Sequence, residues 1–425
     1  MRRSSVPEIQ FDDFQLSNGL KVILHSCNRT PLVHLGLHYR VGSSFESRGH
    51  SGLAHLFEHM MFQGSANVGK NEHGRYIDEA GGRWNASTNK DRTNYYETVP
   101  SNFAKLAFWL EADRMASLKI TEQSFENQRQ TVIEEKKQSY DNRPYGPSHL
   151  RFDELAYENW AYAHPIIGSI DDLKNAALQD ALDFHEVHYG PGNATVVVSG
   201  DIRPAEISAV LREYFEPIPD KTNPREPDLT EPMQAQAKSE VMGDPLAVLP
   251  AVAIGYHMPS LGSPEYYALT MLALILADGD SSRFYRKFVY QNNWITGLFA
   301  GPNQYKGPQL FRVWFQIQSE VKPQTVVDAV DEEVARILDE GVTDLELEKA
   351  RNQVTHRFVA RLSTVYQIGE LLAHYASYFN DPGLVNSQID EYHAISKEDI
   401  LSAARKFLLR ENRTLILTEP RSSHD

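Results

Sequence analysis

His55-Leu56-Phe57-Glu58-His59 places two imidazoles and a carboxylate within five residues, and its reading decides both fold and chemistry. Gly52 and Gly64 bracket the segment, while Leu53, Leu56, Phe57, Met60 and Met61 supply apolar positions at helical spacing. A helix is therefore predicted here. Residues i and i+4 share a helix face, so His55 and His59 can hold one metal ion together. Glu58 neighbours both, within reach of a water on that ion without being a ligand itself. A lone histidine would be read as a satisfied core residue. Two histidines and a glutamate on one apolar helix are costly to bury unless a metal or other partners compensate.

Working outward, the chain has 425 residues, 41% hydrophobic and 23% charged, which suits a globular protein of two or three domains. The formal net charge of −15 argues against nucleic acid or anionic membrane as partner and suits basic or neutral peptides. Cys27 is the only cysteine, so no disulfide within the chain and no thiolate-rich metal site is possible. That fits a reducing compartment. The opening MRRSSVPEIQ has no apolar run and does not read as a secretory signal, so a cytoplasmic location is expected, or a periplasmic one had a leader been removed. The longest apolar stretch, Tyr266 to Ala277, is too short to span a bilayer and reads as a buried core helix.

A Pro- and charge-rich stretch from Glu216 to Met233 reads as a linker, predicting domains at 1–215 and 236–425 with 216–235 between them. The two sides repeat one another. Ile170-Asp171-Asp172-Leu173 is echoed by Ile389-Asp390-Glu391-Tyr392, and Asn193-Ala194-Thr195 by Asn412-Arg413-Thr414, both at an offset of 219 positions. Short β-rich runs follow at 195–199 and 414–418, and a strand precedes an apolar helix near the start of each half (33–39 and 251–256). Two copies of one α+β unit are expected. The copy of the His55 helix, around Tyr266–Ala277, has no comparable His or Glu, so the metal chemistry belongs to the first copy alone. His185-Glu186-Val187-His188 is set aside for the same reason, its counterparts including Ala404 and Phe407. Its place at a helix C-terminus is one that histidine favours.

Catalytic zinc usually takes three protein ligands and leaves one position open. The best further candidate lies on a helix predicted from Glu122 to Ser139. Phe125, Gln128, Val132 and Glu135 form one stripe there, the face expected to turn inward, whereas Glu134 falls off it. Glu135 is the choice.

The segments HLFEH, VIEEKKQSYDNRPYG and GGRWNASTNKDRTNYYETVP together resemble the pitrilysin, insulinase and mitochondrial-processing-peptidase superfamily of inverted-motif zinc peptidases, and most closely its short bacterial processing-peptidase branch. The resemblance covers nearly the whole chain. It implies two homologous domains, each a mainly antiparallel sheet packed with helices, and one Zn2+ per chain on His55, His59 and Glu135. Manganese or cobalt would also suit two imidazoles and a carboxylate. It implies Glu58 as general base. Asn85 and Ala86, in a segment that otherwise reads as a loop entering a strand, match the edge that takes up substrate as an added strand.

Two departures from the family pattern stand out. Gln128 occupies the place of a second carboxylate and cannot act as a base. Val289 and Thr296, counted from Ser281-Ser282-Arg283, occupy the places of a substrate-holding Arg and Tyr. The expectation is a metalloendopeptidase acting on peptides or unfolded segments, in a chamber closed by a related subunit that supplies the missing pair. A self-sufficient homodimer using Arg286 or Tyr290, and a non-catalytic scaffold subunit, are the alternatives.

Overall fold

The computed structural model of the protein describes residues 6–421. Its strands are β1 (Asp12–Gln15), β2 (Lys21–Ser26), β3 (Leu32–Tyr39), β4 (Arg83–Thr88), β5 (Thr93–Pro100), β6 (Ala194–Gly200), β7 (Lys238–Asp244), β8 (Ala251–Met258), β9 (Ile295–Pro302), β10 (Gln309–Ile317) and β11 (Arg413–Pro420). They form two sheets, ordered β1-β2-β6-β3-β5-β4 and β7-β11-β8-β10-β9.

Apart from the extra edge strand β1, the orders superimpose: β2 answers to β7, β6 to β11, β3 to β8, β5 to β10 and β4 to β9. The pairings β2–β6 and β7–β11 are parallel and all others antiparallel. β3 and β8 begin 219 positions apart, as do β6 and β11 to within one residue. The mainly antiparallel α+β architecture and the duplication read from sequence are those of the structure. The reason is local. β6 (ATVVVSG) is buried at every position, and a continuous β-branched run of that kind is stable only with neighbours on both sides and cover on both faces.

The chain divides into two compact units that are not the two sequence halves. Unit 1 comprises Met1–Glu134, Pro165–Pro227 and Phe358–Ser387, and unit 2 comprises Glu135–His164, Asp228–Arg357 and Gln388–Asp425. Each half thus lends a helical segment to the other's unit. A sheet face that is apolar must be covered by something, and the nearest cover in space need not be nearest in sequence. In unit 1 the helix Val365–Phe379 packs on β3 and β6. In unit 2 a helix from the first half, Gly146–Ala156, packs on β7 and β11. Residues 219–235 have no regular structure.

The core of unit 2 centres on the helix Pro264–Ala277, buried at every position from Tyr266 to Leu276 except Thr270, which is why it shows no amphipathic stripe. Among the described residues no helix is long and apolar enough to cross a membrane.

Candidate metal centre

Helices α1 (Leu53–Met60), α2 (Glu72–Glu79), α3 (Ala104–Ser117) and α4 (Glu122–Lys136) build the site. Gly52 starts α1 from the left-handed region, φ +93°, where a Cβ would meet Ile167 O at 3.0 Å and Gly168 Cα at 3.1 Å. Only glycine fits. Glu46 then caps the helix: its carboxylate accepts hydrogen bonds from Gly52 N (2.8 Å) and Ala54 N (2.7 Å). A buried negative charge at a helix N-terminus is favourable on both counts, hydrogen bonding and dipole. Ser51 is held as well, its N and Oγ donating to Asp172 Oδ2 at 3.0 and 2.5 Å. Asp172 comes from the repeated Ile-Asp-Asp-Leu segment, and Glu46 carries no local sequence signal.

Along α1, Leu53, Ala54, Leu56, Phe57 and Met60 are buried, whereas His55, Glu58 and His59 are half-buried. The polar residues therefore share the face that reaches the surface. The two imidazole centroids lie 4.9 Å apart with planes at 75°. On α4, Phe125, Val132 and Ile133 are buried, Glu135 is half-buried and Glu134 is exposed, following the stripe. His55, His59 and Glu135 each bring one ligand atom to a common place, all within 4.8 Å of one another. Two ligands of a tetrahedral zinc sit about 3.4 Å apart, so modest rotamer adjustment closes the set on one ion. The donors, two nitrogens and a carboxylate oxygen, fit zinc.

The surroundings are aromatic. The Tyr95 hydroxyl donates to Phe57 O at 3.4 Å, and burial holds Tyr95 well above the ordinary phenol range, with the nearby Tyr189 and Glu58 adding to it. α4 runs on into a wide turn, Lys137–Asp141, secured by Lys136 Nζ donating to Asp141 Oδ1 at 2.7 Å. Tyr140 in that turn is raised by burial and by the Glu135 charge.

His185 stacks on Phe57 at 5.3 Å and His188 packs against Phe184 at 4.7 Å. Burial pushes both imidazoles down to about 4. Neither joins a potential metal group among the described residues. A second such group, unread from sequence, is His73 on α2, Glu97 on β5 and Glu111 on α3, all buried. There Arg114 already supplies the cation, its Nε donating to Glu111 at 2.7 Å with Glu97 3.7 Å from Nη2. His73 Nε2 stands 2.8 Å from Glu97 Oε1. Burial raises Glu111 to about 8 and lowers His73 to about 3. This is a neutralised buried network and not an open metal site.

β4 is the outer strand of its sheet, bonded to β5 alone. Asn85 on it is exposed and Ala86 half-buried, with Asn85 Oδ1 accepting from Ala86 N at 2.9 Å. Gln128 is half-buried on α4. Val289 packs against the core of unit 2, and exposed Thr296 donates from Oγ1 to Gln316 Oε1 at 2.8 Å. Arg286 and Tyr290 are exposed, the latter donating to Asp280 at 3.4 Å.

Two family models match the chain: "Insulinase (Peptidase family M16)" over residues 21–168 and "Peptidase M16 inactive domain" over residues 175–354. The chain is 29% identical to the zinc protease PqqE of Helicobacter pylori, over 95% of this chain and 92% of that one. It is 23% identical to a probable mitochondrial-processing peptidase subunit beta of Arabidopsis thaliana, over 84% of this chain and 68% of the relative. Among solved structures, a protease from Helicobacter pylori superimposes with a TM-score of 0.93 at 27% identity, covering 97% of this chain and all (100%) of that one.

Proposed function

The chain belongs to the pitrilysin and insulinase superfamily of peptidases, in its short bacterial branch, and from that footing we propose that it is a zinc-dependent metalloendopeptidase. The observation that carries this reading is the convergence of His55, His59 and Glu135 on one point with Glu58 beside them.

His55, His59 and Glu135 would hold the ion. When bound, zinc supplies a Lewis acid for the scissile carbonyl and makes a neighbouring water more acidic. Glu58 takes the proton from the attacking water and returns it to the leaving amine, the task of a general base held beside the reacting atoms. The outer edge of β4, with Asn85 and Ala86, takes an extended peptide through backbone hydrogen bonds, so that main-chain shape counts for more than any one side chain. Extended peptides and unfolded segments are the substrates that such an edge admits.

Val289 and Thr296 favour a partner-dependent version of this activity. A valine packed on the core and a threonine bonded to Gln316 present no cation and no phenol to a substrate. A related subunit, closing a chamber with this one, would supply an Arg and a Tyr. The test is peptide hydrolysis by the zinc-loaded chain and by its Glu58→Gln variant, alone and with a candidate partner. Zinc retained and hydrolysis lost in the variant supports the role of Glu58. Full hydrolysis by the chain alone excludes the need for a partner.

A further inference from the structure

The internal duplication provides a control for a cavity in unit 2. The cavity, about 550 Å³, opens over the sheet face formed by β8, β9 and β10, beside the helix Gly146–Ala156. Its walls are aromatic: Tyr140, Tyr145, Phe152, Phe299 and Trp314. Phe299, Trp314 and Ala253 stand side by side across the three strands, and Arg312 stands beside Gly255. Phe152 covers Gly255, where a Cβ would come within 2.8 Å of its ring.

The same place in unit 1 is filled. By the pairing with β6 and β11, whose residues correspond at an offset of 219, Gly36 answers to Ala253, His34 to Ala251 and His38 to Gly255, and Tyr96 answers to Trp314. The His34 imidazole packs there on Tyr366 (5.2 Å) and Tyr96 (6.0 Å), and those two rings lie 5.0 Å apart. The first repeat closes the space with its own rings. In the second repeat Ala251 and Gly255 stand where His34 and His38 stand in the first, on either side of the lining residue Ala253, and the space is left open.

Two buried donors on residues lining the cavity, Arg312 Nε and Asn303 Nδ2, have no hydrogen-bond partner. The Arg312 charge is already met by Asp153, so the cavity calls for an uncharged, aromatic occupant. Part of its wall neighbours the candidate metal ligand in sequence and in space. Ser139 and Tyr140 line it, and Tyr140 lies within electrostatic reach of Glu135.

We propose that this cavity is a specificity pocket that takes an aromatic side chain of the peptide. The proposal rests on the peptidase reading for the identity of its ligand. Other peptidases can share the metal chemistry without sharing this preference, because the pocket depends on the small residues Ala251, Ala253 and Gly255 along β8.

The test measures equilibrium binding to the full chain carrying Glu58→Gln, so that turnover does not interfere. The probes are fluorescein-labelled Ala/Ser decapeptides with a single tyrosine moved position by position, compared with the tyrosine-free parent. The best tyrosine peptide is expected to bind about tenfold or more tighter than the parent, the effect of burying one aromatic ring. Ala253→Trp, which fills the space, should bring that ratio to about one, and Phe299→Ala, at a wall residue 54% exposed and safe for folding, should reduce it. An unchanged ratio in both variants, or no measurable binding of any decapeptide, overturns the proposal. Hydrolysis of the same peptides by the unmodified zinc-loaded chain is scored separately. Hydrolysis without a tyrosine ratio sinks the pocket alone, and a ratio without hydrolysis sinks the peptidase reading alone.

Discussion

Asn193 and Asn412, 219 positions apart, make the same pair of hydrogen bonds in the two repeats. Asn193 Nδ2 donates to His188 O (2.9 Å) and Arg40 O (3.2 Å), and Asn412 Nδ2 donates to Phe407 O (2.7 Å) and His257 O (2.8 Å). His188 and Phe407 close equivalent helices, and each asparagine ties its helix end to the chain at the end of the neighbouring β-strand, β3 or β8. One amide thus joins a helix C-terminus to a sheet in each unit.

Replacing either asparagine with alanine leaves two carbonyls without this donor, and a loss of about 1–3 kcal/mol is expected in each case. Chemical denaturation of Asn193→Ala and Asn412→Ala should show comparable losses, because the two sites are equivalent. A loss confined to one variant would show that one bond set is idle.

Glu46 holds the first turn of α1, the helix that carries His55 and His59. Glu46→Ala removes the acceptor of Gly52 N and Ala54 N and should lower stability by about 1–2 kcal/mol. Because α1 carries His55 and His59, zinc affinity should fall as well. Competition against a chromophoric chelator measures this, with unchanged affinity as the contrary result.

Val289→Arg combined with Thr296→Tyr should raise the peptidase activity of the chain in the absence of any partner, by about tenfold or more if two hydrogen-bonding groups are restored to the transition state. Each change alone should do less. Peptide hydrolysis by the double variant is the measurement, and activity no higher than that of the original chain would count against the partner-dependent reading.

Acid should weaken unit 2 through Glu346. Burial by itself would raise its carboxyl, but Arg283 donates to it from Nε (2.7 Å) and Nη2 (2.8 Å) and Thr343 N donates at 2.8 Å, and together these hold it at about 2. An unfolded glutamate titrates near about 4.3. The folded value is the lower one, so the stabilisation is complete above about pH 4.3 and is lost as pH falls towards 2. Glu346→Gln should be less stable than the parent at neutral pH and lose less between pH 5 and pH 3, as read from urea midpoints at about those two pH values.

Much of the site was legible because it is written in local periodicity. Helical spacing alone put His55 and His59 on one face, and the stripe through Phe125 and Val132 selected Glu135 over Glu134. The repeat was visible because asparagine and the short strands recur at one offset. Glu46 was not legible, since a cap contributed from seven residues before the helix has no periodic signature. The His73–Glu97–Glu111 network was hidden for a related reason: its members come from two helices and a strand, and each looks like an ordinary polar residue in its own segment.

The amino-acid order by itself determined the fold class, the duplication and the donor types, all of which follow from hydrophobic pattern and side-chain chemistry within a few turns of chain. Tertiary structure alone decided that Glu135 meets the two imidazoles, that β4 is an edge, that each sheet borrows its covering helix from the other half, and that a cavity opens beside Ala253 whereas His34 packs on Tyr96 and Tyr366 in the first repeat. Those outcomes depend on which surfaces touch after packing, and burial of apolar area is indifferent to the distance along the chain between the residues that share it.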